Sequence, residues 1–377
     1  MILTNDFQRQ WDEIREDALG AFQKVGASGS YVLGEQIRAF EKALAASWGL
    51  EYAVGVASGL DAIEISLRIL GCSPGDRVLT TPVSAFATTL AILKLGSIPV
   101  FVDTDERGLI DLARCSDFLR QRPDVRFFVP VHLYGQPLAA TGLRRMRNEF
   151  DLKIVEDCAQ CIGARYRGEA SGSAGQLAAT SFYPTKNLGA MGDGGAILTR
   201  DPKLDARARA FRDYGQTAKY RHEYLGYNSR LDELQAAFLN HACLPRLEQW
   251  TRRRREIAAA YREGIRHAEV RVSAALEGSE SCWHLFPVFA PPARRKNLLE
   301  HLKAAGVGAG IHYPTEIPDQ PALAHVPFEL ADNCTTARRL CSSEVSLPIH
   351  PYLTDAEVAH IIESVNAWPA GSAPGRS

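Results

Sequence analysis

The sequence predicts an α/β protein, with a large domain built on a mostly parallel sheet flanked by helices and a smaller C-terminal α+β domain. Three observations predict this. Short apolar runs alternate with helix-periodic segments from Glu51 to about Gln160. That rhythm gives way to a Gly-rich stretch between two β-prone runs, and a long helical region then leads into mixed β and helical segments. Continuous apolar strands that alternate with helices belong to parallel sheets covered on both faces.

In order, Tyr52–Val56 reads as a strand and Leu60–Leu70 as a helix. Arg77–Thr81 is a strand, followed by a helix over Ser84–Leu95. Ile98–Val102 is a strand, with a helix near Leu112–Arg120. Val125–His132 and Lys153–Val155 are strands, separated by a helical stretch at Leu143–Phe150. Ala178–Tyr183 and Ala196–Thr199 are β-prone. Helices dominate from Lys203 to Ile265, Val270–Pro291 turns β-like, and helical patterns occupy Arg295–Ala305 and Asp355–Val365. The domains are therefore expected at 1–245 and 246–377, with a disordered tail at 370–377.

The chain has 377 residues, 46% hydrophobic and 23% charged, which is ordinary globular composition. Lys plus Arg is 43 and Asp plus Glu is 44. So even a balance gives no overall attraction to nucleic acid or an anionic membrane. The uncharged stretch Val78–Leu93 contains Pro82 and is too short to span a bilayer. The N-terminus lacks the pattern of an export signal, so a cytoplasmic location is expected. The eight cysteines are then expected to be reduced. Cys158 and Cys161 have CxxC spacing without a second pair, which favours packing over zinc or redox chemistry. The basic run Arg252–Arg255 spreads around a helix and reads as solvated surface.

Ligands in open α/β sheets sit beyond the carboxyl ends of the strands. Three polar groups fall there. Ala57-Ser58-Gly59-Leu60-Asp61 joins a strand to a helix, and such a turn either cradles a phosphate or simply caps the helix. Glu156 and Asp157 end an apolar strand, with no nearby His to complete a metal pattern. Lys186 follows a strand within SFYPTKNLGA, where it is either an exposed loop lysine or one activated by burial. Together they match the needs of pyridoxal 5'-phosphate: a phosphate anchor, a lysine for a Schiff base, and an Asp that keeps the pyridine nitrogen protonated.

Over about Gly29–Ala367 the chain resembles the DegT/StrS nucleotide-sugar aminotransferases, within the fold type I pyridoxal-phosphate enzymes. The resemblance rests on EDCAQCIGA (156–164), SFYPTKNLGAMGDGGAI (181–197) and GYNSRLDELQAA (226–237). HLYGQ (132–136), HYPTEIPDQPAL (312–323) and SLPIHPYLT (346–354) support it. It implies that Lys186 binds the cofactor covalently and moves protons, that Asp157 pairs with the pyridine nitrogen, and that Gln160 reaches the ring hydroxyl. Phe86 would stack on the ring, and Ser58, Gly59, Leu60 and Ser181 would hold the phosphate. Asn228 would reach that phosphate from the other subunit of a homodimer with shared sites. Tyr31, Arg230 and Tyr313 would touch the sugar. The implied reaction moves an amino group from an amino acid, glutamate being expected, to a nucleotide-linked keto-sugar. The wording of 221–237 is closer to relatives acting on 3-keto than on 4-keto sugars.

Leu60 departs from the family's usual Thr. Glu316 and Pro318 stand where Pro and His are usual, and Cys158 and Cys161 replace small residues. Sugar dehydratases of the group carry His in place of the lysine, so Lys186 argues against that chemistry. Two further readings stay open: amination of a keto-cyclitol or aminobenzoate-type precursor, and a non-catalytic, cofactor-binding regulatory protein.

Overall fold

The computed structural model describes residues 1–371, so the expected disordered tail lies, from 372 onward, outside the described residues. An eight-stranded sheet runs in the order Tyr52–Val56, Gly195–Thr199, Leu177–Ser181, Lys153–Asp157, Phe127–Phe128, Arg77–Thr80, Ile98–Phe101, Glu329–Leu330. Gly195–Thr199 is antiparallel to both neighbours and the other pairings are parallel. The strands at the centre are buried and rich in Val, Ile, Leu and Ala, as a sheet covered on both faces requires.

One face packs on Gly59–Ile69, Phe86–Lys94 and Pro202–Arg212 through a cluster that includes Ile63, Leu67, Ile92 and Phe211. Part of the other face is covered by two N-terminal helices, Phe7–Ser28 and Glu35–Trp48, which the sequence reading did not assign. The second of these has no side-chain cap of its own. Glu233, from the helix Glu233–Phe238, supplies one across nearly two hundred residues. Its carboxylate accepts the N–H groups of Gly34, Gln36 and Ile37 at 2.7, 3.0 and 3.0 Å. These donors would otherwise be orphans at a buried helix start.

The strand expected over Val125–His132 shortens to Phe127–Phe128. Pro130 cannot donate to a ladder, and His132 turns into a short 3₁₀ segment instead. The expected helical region 203–265 is interrupted by a hairpin pairing Gln216–Ala218 with Arg221–His222. It also loosens around Leu239–Arg246, where Pro245 removes a backbone donor.

Beyond that point a three-stranded antiparallel sheet forms from Arg271–Val272, Phe286–Phe289 and Glu344–Leu347. Leu247–Gly264, Arg295–Ala304 and Asp355–Asn366 pack on it through a separate apolar cluster. The two parts interlock. Glu329–Leu330 returns to the edge of the large sheet beside Ile98–Phe101, and Ile2 bridges to Val307. The basic run is not uniformly solvated as the sequence suggested: Arg254 is buried, with its guanidinium donating to the carbonyls of Trp283 and Ile349. No helix among the described residues is long and apolar enough to cross a membrane.

Replacing Glu233 by Ala leaves three N–H groups without their acceptor. At about 1–3 kcal/mol for each donor left buried, Glu233→Ala should lower stability by about 3 kcal/mol or more, read as a drop in the denaturant midpoint. A loss under about 1 kcal/mol would show that the N-terminal helices do not depend on this cap.

Candidate active site

Successive residues of a strand face opposite sides of its sheet, so the adjacent carboxylates at the end of Lys153–Asp157 have separate tasks. Glu156 faces a turn at Gly172–Gly175. It accepts the N–H groups of Gly172, Ala174 and Gly175 at 3.1, 2.8 and 2.7 Å, and His132 Nε2 lies 2.9 Å away. His132 Nδ1 accepts the Leu138 N–H at 3.0 Å, so the ring proton sits on Nε2 and points at Glu156. Burial would raise the Glu156 pKa, but His132 and the amides hold it below the usual value. The sequence reading placed no His near this strand end; His132 stands there because the parallel neighbour carries it alongside.

The Cys158 and Cys161 thiols lie within 4.8 Å of a His132 ring nitrogen. Both nitrogens already have partners, and the two cysteines pack in the apolar core. All eight cysteines are buried free thiols.

Asp157 is only 4% exposed. Its oxygens accept from the Ala159 N–H at 3.0 Å and the Thr88 hydroxyl at 2.8 Å, and Thr88 contacts Ser84 one turn back. Burial raises the Asp157 pKa despite these donors. Thr88 escaped sequence analysis, although hydroxyls four residues apart at the start of a helix were a visible signal. Gln160 accepts from the Tyr134 N–H at 2.7 Å and donates to the Tyr313 hydroxyl at 2.6 Å. Lys186 sits on the turn after Leu177–Ser181, partly buried. Desolvation lowers its pKa to about 8, with Asp157 opposing.

Ser58 caps the helix Gly59–Ile69 through the Asp61 N–H, leaving the Gly59 and Leu60 amides without a partner among the described residues. A Cβ at Gly59 would lie 2.7 Å from that of Ser181, and one at Gly195 would lie 2.4 Å from the Ser58 carbonyl. Only glycine permits this approach, which brings the helix start against Ser181. Leu60 itself packs at the edge of the apolar cluster on that face, so its departure from Thr leaves the amide in place. Phe86 and Tyr313 border a cavity of about 260 Å³ with Ser84 and Ile317. Glu316 is buried with Arg338 Nε 2.5 Å from its carboxylate, and the Ile317 N–H donates to Pro82.

The remaining candidates lie apart from this group. Tyr31 is 59% exposed between the N-terminal helices. Asn228 is exposed, while its neighbour Ser229 accepts from the Ala57 N–H and donates to Asp61. Arg230 pairs with Asp213 at 2.8 Å and lies over the Tyr214 ring.

A buried carboxylate held by two hydrogen bonds, a desolvated lysine, and free amides at a helix start fit what pyridoxal phosphate requires at its ring nitrogen, aldehyde and phosphate. Fold and site together define a pyridoxal-phosphate enzyme of the α/β type. The chain belongs to the DegT/DnrJ/EryC1/StrS aminotransferase family, whose model matches residues 12–366, and enzymes of this family depend on that cofactor.

It is 39% identical to the dTDP-3-amino-3,4,6-trideoxy-alpha-D-glucose transaminase of Streptomyces venezuelae, over 96% of this chain and 95% of that one. It is 35% identical to a UDP-N-acetyl-3-dehydro-alpha-D-glucosamine 3-aminotransferase of Acidithiobacillus ferrooxidans, over 94% and 95%. The crystal structure of S. venezuelae DesV with a ketimine intermediate superposes with a TM-score of 0.91 at 39% identity, covering 96% of this chain and 97% of that one.

Because only neutral Lys186 captures an aldehyde, capture of pyridoxal phosphate by apoprotein should quicken as pH rises through about 8. An ordinary lysine would place that rise above pH 10. Borohydride trapping followed by peptide mapping reads the label on Lys186. Asp157→Asn removes the charge that holds the ammonium, so the midpoint should fall further. A midpoint above 10, or label on another lysine, contradicts the assignment.

Proposed function

We propose that this chain transfers an amino group from an amino acid, glutamate by preference, to a keto-sugar linked to a nucleotide diphosphate, at C3 of a deoxyhexose. The observation that carries the reading is desolvated Lys186 and buried Asp157 on neighbouring strand ends, each feeling the other's charge, with Asp157 linked through Thr88 to Ser84 in the wall of the Phe86–Tyr313 cavity. The two relatives described above, both named for 3-amino or 3-keto sugars, support the substrate class and the C3 position. Amination of a cyclitol or aminobenzoate precursor has no comparable support, and a purely regulatory role leaves the lysine and acid without a task.

When bound, pyridoxal phosphate supplies an electrophilic carbon for amines and a ring that withdraws electrons. Asp157 holds a proton at the ring nitrogen, with Thr88 and the Ala159 N–H orienting the carboxylate. Ser58, Ser181 and the amides of Gly59 and Leu60 hold the phosphate. Gln160, fixed by the Tyr134 N–H, reaches the ring hydroxyl, and Phe86 covers the ring face. Lys186 Nζ removes the proton from the donor's α-carbon. That proton would pass to the cofactor side, and in the second half-reaction Lys186 Nζ would carry a proton from the cofactor side to the sugar carbon that bore the ketone. Tyr313 lines the sugar cavity, with Tyr31 and Arg230 as further sugar contacts.

The active unit we infer is a cytoplasmic homodimer in which Asn228 completes the partner's phosphate site. Tyr183 and Met191, flanking the Lys186 turn, are exposed, as are Tyr31, Val32 and Leu234. Large apolar side chains gathered around a site suggest a covered surface.

The substrate class is tested with a panel of nucleotide keto-sugars and glutamate, with mass spectrometry of the products. Amination of a 3-keto deoxyhexose is expected, and a preference for 4-keto sugars or cyclitols would overturn it. Sharing is tested by mixing two inactive variants, Lys186→Ala and Asn228→Asp, under subunit exchange. A heterodimer then carries both lesions in one site and leaves the other intact, so up to about half the activity should return to it, by that count of sites. Exchange without recovery would refute the shared site.

A further inference from the structure

Arg254 is the one member of the basic run that the fold buries, at 5% exposure. Its Nη1 donates to Trp283 O at 3.3 Å and Ile349 O at 3.1 Å, while its Nε is buried with no partner. Among the described residues no carboxylate pairs with it. A buried charge is ordinarily paired, because leaving it alone in a low-dielectric interior is costly. Two more buried polar atoms stand nearby: among the described residues His350 Nδ1 has no hydrogen-bond partner, and the Tyr352 hydroxyl, also without a well-formed hydrogen bond, lies near the Glu13 carboxylate. All three residues line one cavity together with Trp250 and with Lys186 and Asn187 of the lysine turn, with an interior of about 20 Å³. That is room for one small ion or one to two waters. Asp6 also borders it, but its carboxylate caps the first helix through the Arg9 N–H and pairs with the Arg9 side chain.

We propose that this cavity is a binding site for a small monovalent anion of halide size. Arg254 Nε and the Tyr352 hydroxyl donate to it, and His350 turns its protonated nitrogen inward. Neutral water could fill the space but would leave the guanidinium charge uncompensated, and burial already lowers the Arg254 pKa to about 10. An anion there would lie between the helix Leu247–Gly264, the 348–354 segment and the turn that carries Lys186, so its binding should stabilise the fold.

Holoenzyme melting is compared in sodium chloride, bromide and gluconate at equal ionic strength. Chloride and bromide should raise Tm saturably, by several degrees, over gluconate. Crystals grown in bromide should show an anomalous peak within hydrogen-bond distance of Arg254 Nε. Tyr352→Phe should raise the halide concentration for half-maximal effect at least about tenfold, and Arg254→Met should abolish the difference between salts. The wild-type melting and the bromide map decide the matter even if Arg254→Met does not fold. No peak, or a peak without the melting effect, would mean water or binding at crystal concentration only, and either overturns the proposal.

Discussion

The buried carboxylate of Glu156 is the contact on which the site depends. Three amides of the turn at Gly172–Gly175 and the His132 ring satisfy it completely, and His132 is itself held by Leu138. This joins the end of the central strand to the loop on its left and the chain leaving the strand on its right. Removing one partner of such a buried set typically costs about 3–5 kcal/mol, so the strand end has little freedom. Asp157 is the next residue and inherits that rigidity. Because side chains alternate along a strand, fixing Glu156 toward one face fixes Asp157 toward the other. Fixing Glu156 thus sets the direction of Asp157, whose carboxylate Thr88 and the Ala159 N–H hold.

Around that fixed point the chain leaves three groups unsatisfied in complementary senses. Asp157 is pushed toward its neutral form by burial, and Lys186 is pushed toward its neutral amine by the same cause. The helix start at Gly59 offers free amides and the positive end of a dipole. One molecule carrying a protonated ring nitrogen, an aldehyde and a phosphate relieves all three at once. The close approach at Gly59 and Gly195 brings that helix start against Ser181, at the end of the strand that leads into the lysine turn. The C-terminal part reaches the same point, with Asn187 donating to the Cys282 carbonyl and Gln160 donating to Tyr313.

What the sequence disclosed follows from which interactions are local. The strands at Tyr52–Val56, Arg77–Thr80, Ile98–Phe101 and Lys153–Asp157 were legible because burial on both faces writes a continuous apolar run. Lys186 and the Ser58-Gly59 turn were legible because turn chemistry and helix caps are short-range. Glu233 capping a helix two hundred residues earlier, His132 meeting Glu156, and Glu329–Leu330 closing the sheet were not, since each is a pairing set by topology. The short edge strand carries only two residues of pattern. The basic run misled for the same reason: helical periodicity says that four arginines spread around an axis, but not which of them the second sheet covers.

The same distinction resolves the departures at the substrate side. An acid at Glu316, in a segment expected to face a sugar, suggests at first an altered charge on the cavity wall. Its carboxylate instead turns inward to Arg338, with Asp319 on the other side of the same guanidinium. The pair fixes the short 3₁₀ turn at Ile317–Asp319, and the Ile317 N–H bonds back to Pro82 at a strand end. The wall left facing the cavity is made of Ser84, Phe86, Tyr313, Pro314, Thr315, Ile317, Gln320 and Ala322, none of them charged. The change of residue type at Glu316 thus alters how the segment is held without placing a charge on that wall. A buried carboxylate paired with an exposed arginine does here, by tethering, what a proline at that position does by restricting φ.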